Sequence, residues 1–213
     1  MAINIALTPD PLTRSAFRVA QKTGMTWLAA LEGPEILIFD PIAIDAEEKD
    51  LRKKFQVEGR VIAPNSDLDR QIKKAIARAH RRAIDYRIKK LEAPLDLQAD
   101  IVPMDPASIA HQQMLLHQHY AGIARTTGTI LPDAAKTIAF AGARANFAAA
   151  AYRLWKLGTS TDMSQSETKA KTTLIKAQFK AAGIDIASEP ELGQSILEAR
   201  IRAMKPKKSS PAP

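Results

Sequence analysis

The sequence predicts a mainly α-helical fold, with about six or seven helices and a small β element of two or three short strands in the N-terminal third. Apolar residues recur at spacings of 3 and 4 along most of the chain, which is the period of one helical face. Only 9 of the 213 residues are glycine, so few positions demand unusual backbone angles. Short β-branched apolar runs near residues 35–65 predict the strands.

The N-terminal region, residues 1–93, combines helices and strands. Residues 14–33 have helical periodicity and end at a Gly-Pro stop. The run EILIFDPIAI (35–44) predicts a short strand that Pro41 interrupts. The segment DAEEKDLRKKF (45–55) has acids first and bases last, an order that suits a helix dipole. A turn and a second short strand are expected over VEGRVIAPN (57–65).

A long basic helix is predicted over residues 66–92. Ser66 is a suitable N-cap, and Asp67 and Asp69 place acids in the first turn. An apolar stripe recurs at helical spacing through Ile72, Ile76, Ala79 and Ala83. Lysines fill the last turn, and Pro94 stops the element.

The rest of the chain divides into a proline-rich connector (94–106), a C-terminal helical region (107–204) and a disordered basic tail (205–213). Pro132 predicts the first turn of one helix, and Gly158 predicts its end. Two Ser-x-x-Glu capping boxes, at 164–167 and 188–191, each predict the start of an amphipathic helix.

Composition and charge exclude several classes of function. The chain has no cysteine, which removes disulfides, Cys-ligated zinc, iron–sulfur clusters and thiol nucleophiles. No apolar run is long enough to span a membrane, and we expect no secretory signal, no cofactor and a cytoplasmic or virion location. The net charge is +8, and residues 70–90 alone hold nine basic residues against one acid. The basicity is therefore local, and clustered charges reinforce one another within a Debye length.

The basic helix is the predicted binding surface. Its cations lie away from the apolar stripe, as a rigid surface for phosphates that reads no base sequence. The partner is expected to be a nucleic-acid backbone or, alternatively, an acidic protein surface. A membrane surface fits poorly, because the apolar face has no Trp or Phe. The predicted anion-binding residues are Arg70, Lys73, Lys74, Arg78, Arg81 and Arg82.

A second apolar stripe on this helix, Ile84, Ile88 and Leu91, lies roughly 100° around from the first. Either the chain itself or another subunit packs over it, and we favour a subunit contact. Ala141 and Ala145 belong to a small-residue strip that lets another helix approach closely. These five residues are the predicted interface of a homo-oligomer or larger assembly.

Other candidate sites are weaker. The segment VAQKTGMTWLAAL resembles a helix-turn-helix core, but its second helix has almost no side chain that could read bases. His111, His117 and His119 lack metal-ligand spacing, so we expect surface or half-buried histidines. Tyr152 and Trp155 either stack on bases or anchor a helix end.

A cluster of acids raises a nuclease hypothesis. Asp40, Asp45, Glu47 and Glu48, with Lys49, form the kind of set that can bind Mg²⁺ and position a water. Acids are also expected at the start of a helix, so no catalytic residue and no metal ligand is assigned.

The combined prediction is a non-enzymatic, nucleic-acid-associated protein that contacts the phosphate backbone of DNA or RNA. The alternative is a structural subunit of an oligomeric assembly. The plan resembles small phage neck or portal-adaptor proteins in being helical and cysteine-free, with a long charged helix and a polar tail. This resemblance implies a viral structural role and assigns no residue. A Mg-dependent nuclease is the third hypothesis.

Overall fold

A computed structural model describes residues 40–57, 59, 61–92 and 103–206. The mainly α-helical class is confirmed, with six α-helices in these residues and a 3-10 turn, Ile186–Ser188, before the last one. The helices are α1 Pro41–Val57, α2 Asp67–Leu91, α3 Pro106–Thr127, α4 Ala134–Thr159, α5 Gln165–Ala181 and α6 Pro190–Ala203.

The predicted β element is wrong, because the described residues contain no strand. Residues 41–44, predicted to be extended, form the first turn of α1. The Oδ1 atom of Asp40 accepts a hydrogen bond from the Ala43 N–H (2.8 Å) and so caps this helix. Pro41 stands at the first helical position, where its missing N–H costs nothing. The proline therefore starts a helix and does not interrupt a strand.

The predicted long helix is present as α2, within one residue of the expected bounds at each end. The hydroxyl of Ser66 accepts a hydrogen bond from the Asp69 N–H (3.2 Å), as an N-cap does. Asp67 and Asp69 lie in the first turn, and Lys89 and Lys90 in the last. Local capping and charge signals thus specify this helix.

The described residues form two compact units. The first contains residues 40–90 and 112–138, and the second contains 91–92, 103–111 and 139–206. Each unit takes residues from both sides of the predicted connector 94–106, because α3 and α4 contribute to both. Residues 1–39, most of the connector and residues 207–213 lie outside the described part, together with the helix-turn-helix-like segment and nearly all of the predicted tail.

The core of the first unit is built between α1 and α2. Ile44, Leu51 and Phe55 occupy one face of α1, at spacings of 7 and 4 residues. They pack with the apolar stripe of α2, which consists of Ile72, Ala75, Ile76, Ala79 and Ala83. Burying a large apolar side chain contributes about 1.5–3 kcal/mol, so the three α1 residues and the two isoleucines of α2 contribute most of the stabilisation.

Asp69 connects α1 to the start of α2. Its side chain is buried, and it accepts from Arg52 Nη1 (2.9 Å), from Lys73 Nζ (2.8 Å) and from the Asn65 N–H (3.0 Å). The bonds from Lys73 and Arg52 lower the pKa of Asp69 to about 2, against the opposing effect of burial. One carboxylate therefore links two helices and the turn between them.

The second unit packs α5 and α6 against α4. Leu157 of α4, Ile175 and Phe179 of α5, and Ile196 of α6 are core residues. Gly183 has a φ of +83°, and the next N–H, that of Ile184, donates to the Phe179 carbonyl (2.9 Å), which closes α5.

Of the two predicted capping boxes, only the first exists. Ser164 and Glu167 make both reciprocal hydrogen bonds at the start of α5. Ser188 instead ends the 3-10 turn, which Asp185 caps, and α6 begins at Pro190. The bounds of α4 also differ from prediction: it starts at Ala134, beyond Pro132, and continues through Gly158 to Thr159.

Two helical glycines give a matched pair of stability predictions. A Cβ at Gly122 would lie 2.4 Å from His80 Nε2, whereas at Gly158 it would lie 3.7 Å from the Ala199 Cβ. His80 is fully buried, and its ring lies against Gly122. We expect Gly122→Ala to lower the free energy of unfolding by about 1–3 kcal/mol through overpacking. Gly158→Ala should raise it by about 0.5 kcal/mol through helix propensity.

Urea denaturation of both variants measures these changes. If both substitutions stabilise the protein, the close approach of α3 to His80 is contradicted.

Candidate nucleic-acid interface

Four cations of α2 lie on one exposed line. Arg70, Lys74, Arg78 and Arg81 are all exposed, and they follow one another at spacings of 4, 4 and 3 residues. At 1.5 Å per residue, the line is about 16 Å long. The opposite side of the helix is the buried stripe of the first unit, so packing directs these four side chains outward. We call them the cationic line.

The other two predicted anion-binding residues lie beside this line. Lys73 and Arg82 are half-buried, and Lys73 holds the Asp69 carboxylate (2.8 Å). Within the cationic line, Arg70 pairs with Asp67 at the exposed start of the helix. Lys74 and Arg81 have no ion-pair partner in the described part of the chain, and Arg81 does not pair with Asp85. Lys74 and Arg81 are therefore the most available charges of the cationic line.

A buried polar chain lies on the side of α2 that faces α3. His80 and His119 are both 0% exposed, and their Nδ1 atoms are 3.0 Å apart. The Nε atom of Arg87, also buried, donates to His119 Nε2 (3.2 Å). A second nitrogen of Arg87, Nη1, donates to Gln112 Oε1 (2.8 Å). We call Arg87, His119 and His80 the buried chain.

The hydrogen bonds of the buried chain assign its protons. Arg87 is always a donor, so His119 Nε2 accepts and the proton of His119 is on Nδ1. That Nδ1–H donates to His80 Nδ1, so the proton of His80 is on Nε2. His80 Nε2 has no hydrogen-bond partner, and Asp45 Oδ1 is 3.9 Å away. Both rings are therefore neutral, and a proton added to His80 Nδ1 would face another N–H.

Burial also keeps His80 neutral. Desolvation is the main cause that lowers the pKa of His80 to about 4. The negative charge of Asp45 acts to raise this pKa, and the positive charge of Arg125 acts to lower it further. Asp45 is itself bound by Arg125 Nη2 (2.6 and 2.8 Å), so its charge is shared. The backbone of α3 also lies close to this ring, since a Cβ added at Gly122 would be 2.4 Å from His80 Nε2.

The expectation of surface or half-buried histidines holds for His111 and His117, which are exposed, and is wrong for His119. Sequence reasoning missed His80 and the burial of Arg87. Their positions carried a signal: His80 is four residues from both Ile76 and Ile84, and Arg87 is four from Leu91. Both residues therefore fall on apolar stripes of α2.

The acids of the nuclease hypothesis have separate structural surroundings. Asp40 caps α1, Asp45 pairs with Arg125, and Glu48 pairs with Arg52 (2.9 Å). Glu47 is buried, and this burial raises its pKa. Across the described residues, no group of three or more His, Asp or Glu side chains converges in a way that could hold a metal ion.

The predicted interface residues are largely buried by the chain itself. Ile84, Leu91, Ala141 and Ala145 are buried in the single chain, and Ile88 is half-buried. The chain therefore covers most of the second stripe of α2, which is the other alternative that the sequence left open. Of the five residues, only Ile88 keeps more than a small exposed fraction, and a subunit contact through them stays a prediction.

The aromatic pair near the end of α4 is divided between core and surface. Tyr152 is buried, whereas Trp155 is 43% exposed, with Lys156 Nζ 5.8 Å from its ring centroid. Tyr152 therefore anchors the helix, and only Trp155 of this pair retains a surface for stacking.

Comparison with known proteins identifies no relative. No protein-family description, no curated protein and no solved structure matches this chain. In the described ranges, no helix is both long enough and apolar enough to cross a membrane.

The buried chain predicts a specific pH dependence of stability. His80 has a folded pKa of about 4, below its ordinary 6.5, so as pH falls the unfolded state binds the proton first. The contribution of the neutral His80 to the free energy of unfolding is complete above pH 6.5. It is lost as the pH falls toward 4, which lowers the free energy of unfolding by about 3 kcal/mol. We expect the urea midpoint to fall over this interval.

Two histidine variants test the origin of that slope. His80→Gln removes the titrating ring and should flatten the fall in stability between pH 6.5 and 4, whatever its effect at pH 7. His117→Gln changes an exposed histidine and should keep the full slope. An unchanged slope in His80→Gln would show that another group causes the pH dependence.

Proposed function

We propose that this protein is a non-enzymatic, nucleic-acid-associated protein that contacts the phosphate backbone through the cationic line of α2. One observation carries this proposal: four cations lie along one exposed side of a helix whose other side is fixed in a core. Because the helix is already ordered, binding costs no backbone entropy at this surface. The entropy lost is that of the four long side chains.

The spacing of the cationic line suits a backbone contact. Residues four apart on a helix are about 6 Å apart along its axis, so neighbouring cations can reach different phosphates. Each neutralised phosphate releases counterions, which drives binding without regard to base sequence. The line consists of Arg and Lys alone, and such contacts position a nucleic acid without specifying a site.

Duplex binding measured against salt tests this function. For four phosphate contacts we expect log K to fall with log [salt] at a slope of about −3.6. The triple variant Lys74→Ala, Arg78→Ala, Arg81→Ala should bind more weakly, and its slope should be less steep by about 3. Fluorescence anisotropy with a labelled random-sequence duplex measures both quantities. Lys73 is left intact, because it holds the buried Asp69.

A control variant with the same change in net charge distinguishes binding at the cationic line from a general attraction of the basic protein to DNA. Lys169, Lys176 and Lys180 are exposed on α5, and replacing all three with Ala removes the same charge. This control should retain nearly the full slope. If the full chain has no detectable affinity for duplex DNA or RNA at low salt, the function is wrong and an acidic protein surface becomes the better partner.

A second candidate function is that of a structural subunit in a homo-oligomeric assembly, and a different surface favours it. Leu197 and Ile201 of α6 and its C-cap residue Met204 are 47%, 45% and 39% exposed and follow one another at spacings of 4 and 3, which is one side of a helix. On α4, Phe140 and Phe147 are also at least half exposed, seven residues apart. Large apolar side chains grouped on one side of a helix are typical of protein contacts.

Molecular mass in solution tests this second function. Light scattering after size-exclusion chromatography should show a multimer, and the double variant Leu197→Ser, Ile201→Ser should shift it toward monomer. The variant Glu198→Ser, Arg202→Ser removes an exposed ion pair from the same helix and should leave the mass unchanged. A chain that is strictly monomeric at high concentration would contradict a homo-oligomer.

A further inference from the structure

The exposed side of α2 turns about the helix axis along the length of the helix. The residues that mark its buried side are Ile72, Ile76 and Ala79 in the N-terminal half and Ile84, Arg87 and Leu91 in the C-terminal half. At 100° per residue, the second set lies roughly 90° around the axis from the first. The exposed side turns with it, so the surface that continues the cationic line does not run parallel to the helix axis.

A row of side chains at a strict spacing of four residues follows this turning surface. Each step of four residues rises about 6 Å and rotates about 40°. Arg82 is half-buried, and the other members of the row are exposed. The members are Arg70, Lys74, Arg78, Arg82, Tyr86 and Lys90. This four-residue row therefore extends the cationic line to an aromatic ring near the end of α2, over about 30 Å.

Tyr86 is the aromatic member of the four-residue row, and it is 37% exposed. Three of its four neighbours at helical spacings of 3 and 4 are cations, namely Arg82, Lys89 and Lys90, and the fourth is the buried Ala83. Within the described part of the chain, the side chains of these three cations make no hydrogen bond and no ion pair. The ring and the charges around it therefore face solvent.

One acid of α2 lies beside this cluster. Asp85 precedes Tyr86 and is exposed, four residues before Lys89. It forms no ion pair with Lys89 or with Arg82 in the described ranges. With Lys90 included, three cations and one acid give this end of α2 a net charge of +2. An anionic partner is therefore favoured here as well as at the cationic line.

A tyrosine ring between cations suits a nucleotide. The ring offers a face on which a base of any identity can stack. Arg82 and Lys90 lie one turn to either side of Tyr86, so their long side chains can reach the phosphates before and after that base. In a duplex each base is already paired and stacked, and exposing its face costs unpairing and unstacking. The ring of Tyr86 therefore adds affinity only where the bases are unpaired.

We propose that the partner of this surface is a single-stranded nucleic acid, or an unpaired stretch of one. One base stacks on Tyr86, and the phosphates follow the four-residue row. This inference rests on the proposed function and names the class of nucleic acid that the same helix binds. The continuity of Tyr86 with the cationic line favours this partner over an acidic peptide, because a nucleotide chain combines base faces with phosphates at regular intervals.

Two labelled ligands and a pair of variants at one position test the proposal on the full chain. The ligands are a single strand of about 15 thymidines and a random-sequence duplex of the same length, compared by fluorescence anisotropy at one salt concentration. Tyr86→Ala should weaken single-strand binding roughly fivefold or more, because one stacking contact is lost. Its duplex affinity should stay within about twofold, which also shows that α2 remains folded. Tyr86→Phe keeps a ring and should bind both ligands as the unmodified chain does.

A strand without bases separates stacking from charge. An abasic strand of the same length keeps its phosphates, so Tyr86→Ala should bind it as tightly as the unmodified chain does. The matched control is Trp155→Ala, which removes an aromatic ring that is 43% exposed on α4 of the second unit. This control should leave the affinities for single strand and duplex within about twofold.

Four results would overturn the stacking: an unchanged affinity of Tyr86→Ala for the thymidine strand, an equal loss for strand and duplex, an equal loss for the abasic strand, or the same loss in Trp155→Ala. Each of these leaves the proposed function in place as long as the unmodified chain binds the duplex. If the unmodified chain binds neither ligand at low salt, the proposed function and this inference are both wrong.

Discussion

The rotational setting of α2 about its own axis is the constraint on which the first unit depends. His80 and Arg87 are seven residues apart, two helical turns, and both contact His119 in the buried chain. Turning α2 by one residue, about 100°, would separate these groups and leave buried donors without partners. Each orphaned group costs about 1–3 kcal/mol, so the setting is strongly preferred. The exposure of the cationic line is therefore a consequence of what the other side of the helix has to satisfy.

Both units bury an arginine, and they use it differently. Arg87 is buried among helices and orders two neutral imidazoles by donating to one of them. Arg153 is held by two carbonyls and an amide, beside a cavity of about 440 Å³ in the second unit. Burial lowers the pKa of both groups, because each is partly removed from water. In the first unit the charge maintains the packing, and in the second it joins α4 to α5 and to the segment before α3.

The elements that could be predicted are those with local signals. The bounds of α2 follow from Ser66 and the acids after it, and the start of α5 follows from the Ser164 capping box. The same four-residue pattern at Ser188 fails, because Asp185 and Pro190 cap and start neighbouring elements. At Asp40-Pro41, a β-branched run outweighed a capping signal that the structure shows to be real.

What could not be predicted depends on contacts distant in the sequence. Position on the wheel indicates that His80 is buried, but not that His119, on another helix, lies beside it. The sequence also could not show that Lys73 binds a carboxylate whereas the adjacent Lys74 stays exposed. This difference depends on Asp69, which Arg52 of α1 also binds. The cavity of the second unit has no sequence signal at all, since its lining comes from three separate segments.

The discontinuity of the first unit has a consequence for how the chain is made. Its last residues are near position 138, while α1 and α2 are complete by position 91. At a synthesis rate of about 5–20 residues per second, the intervening stretch takes roughly 2–10 s to emerge. During that time His80 has neither His119 nor the Gly122 backbone of α3 beside it. The contacts of the first unit can therefore be completed only after α3, a helix that contributes to both units, has been synthesised.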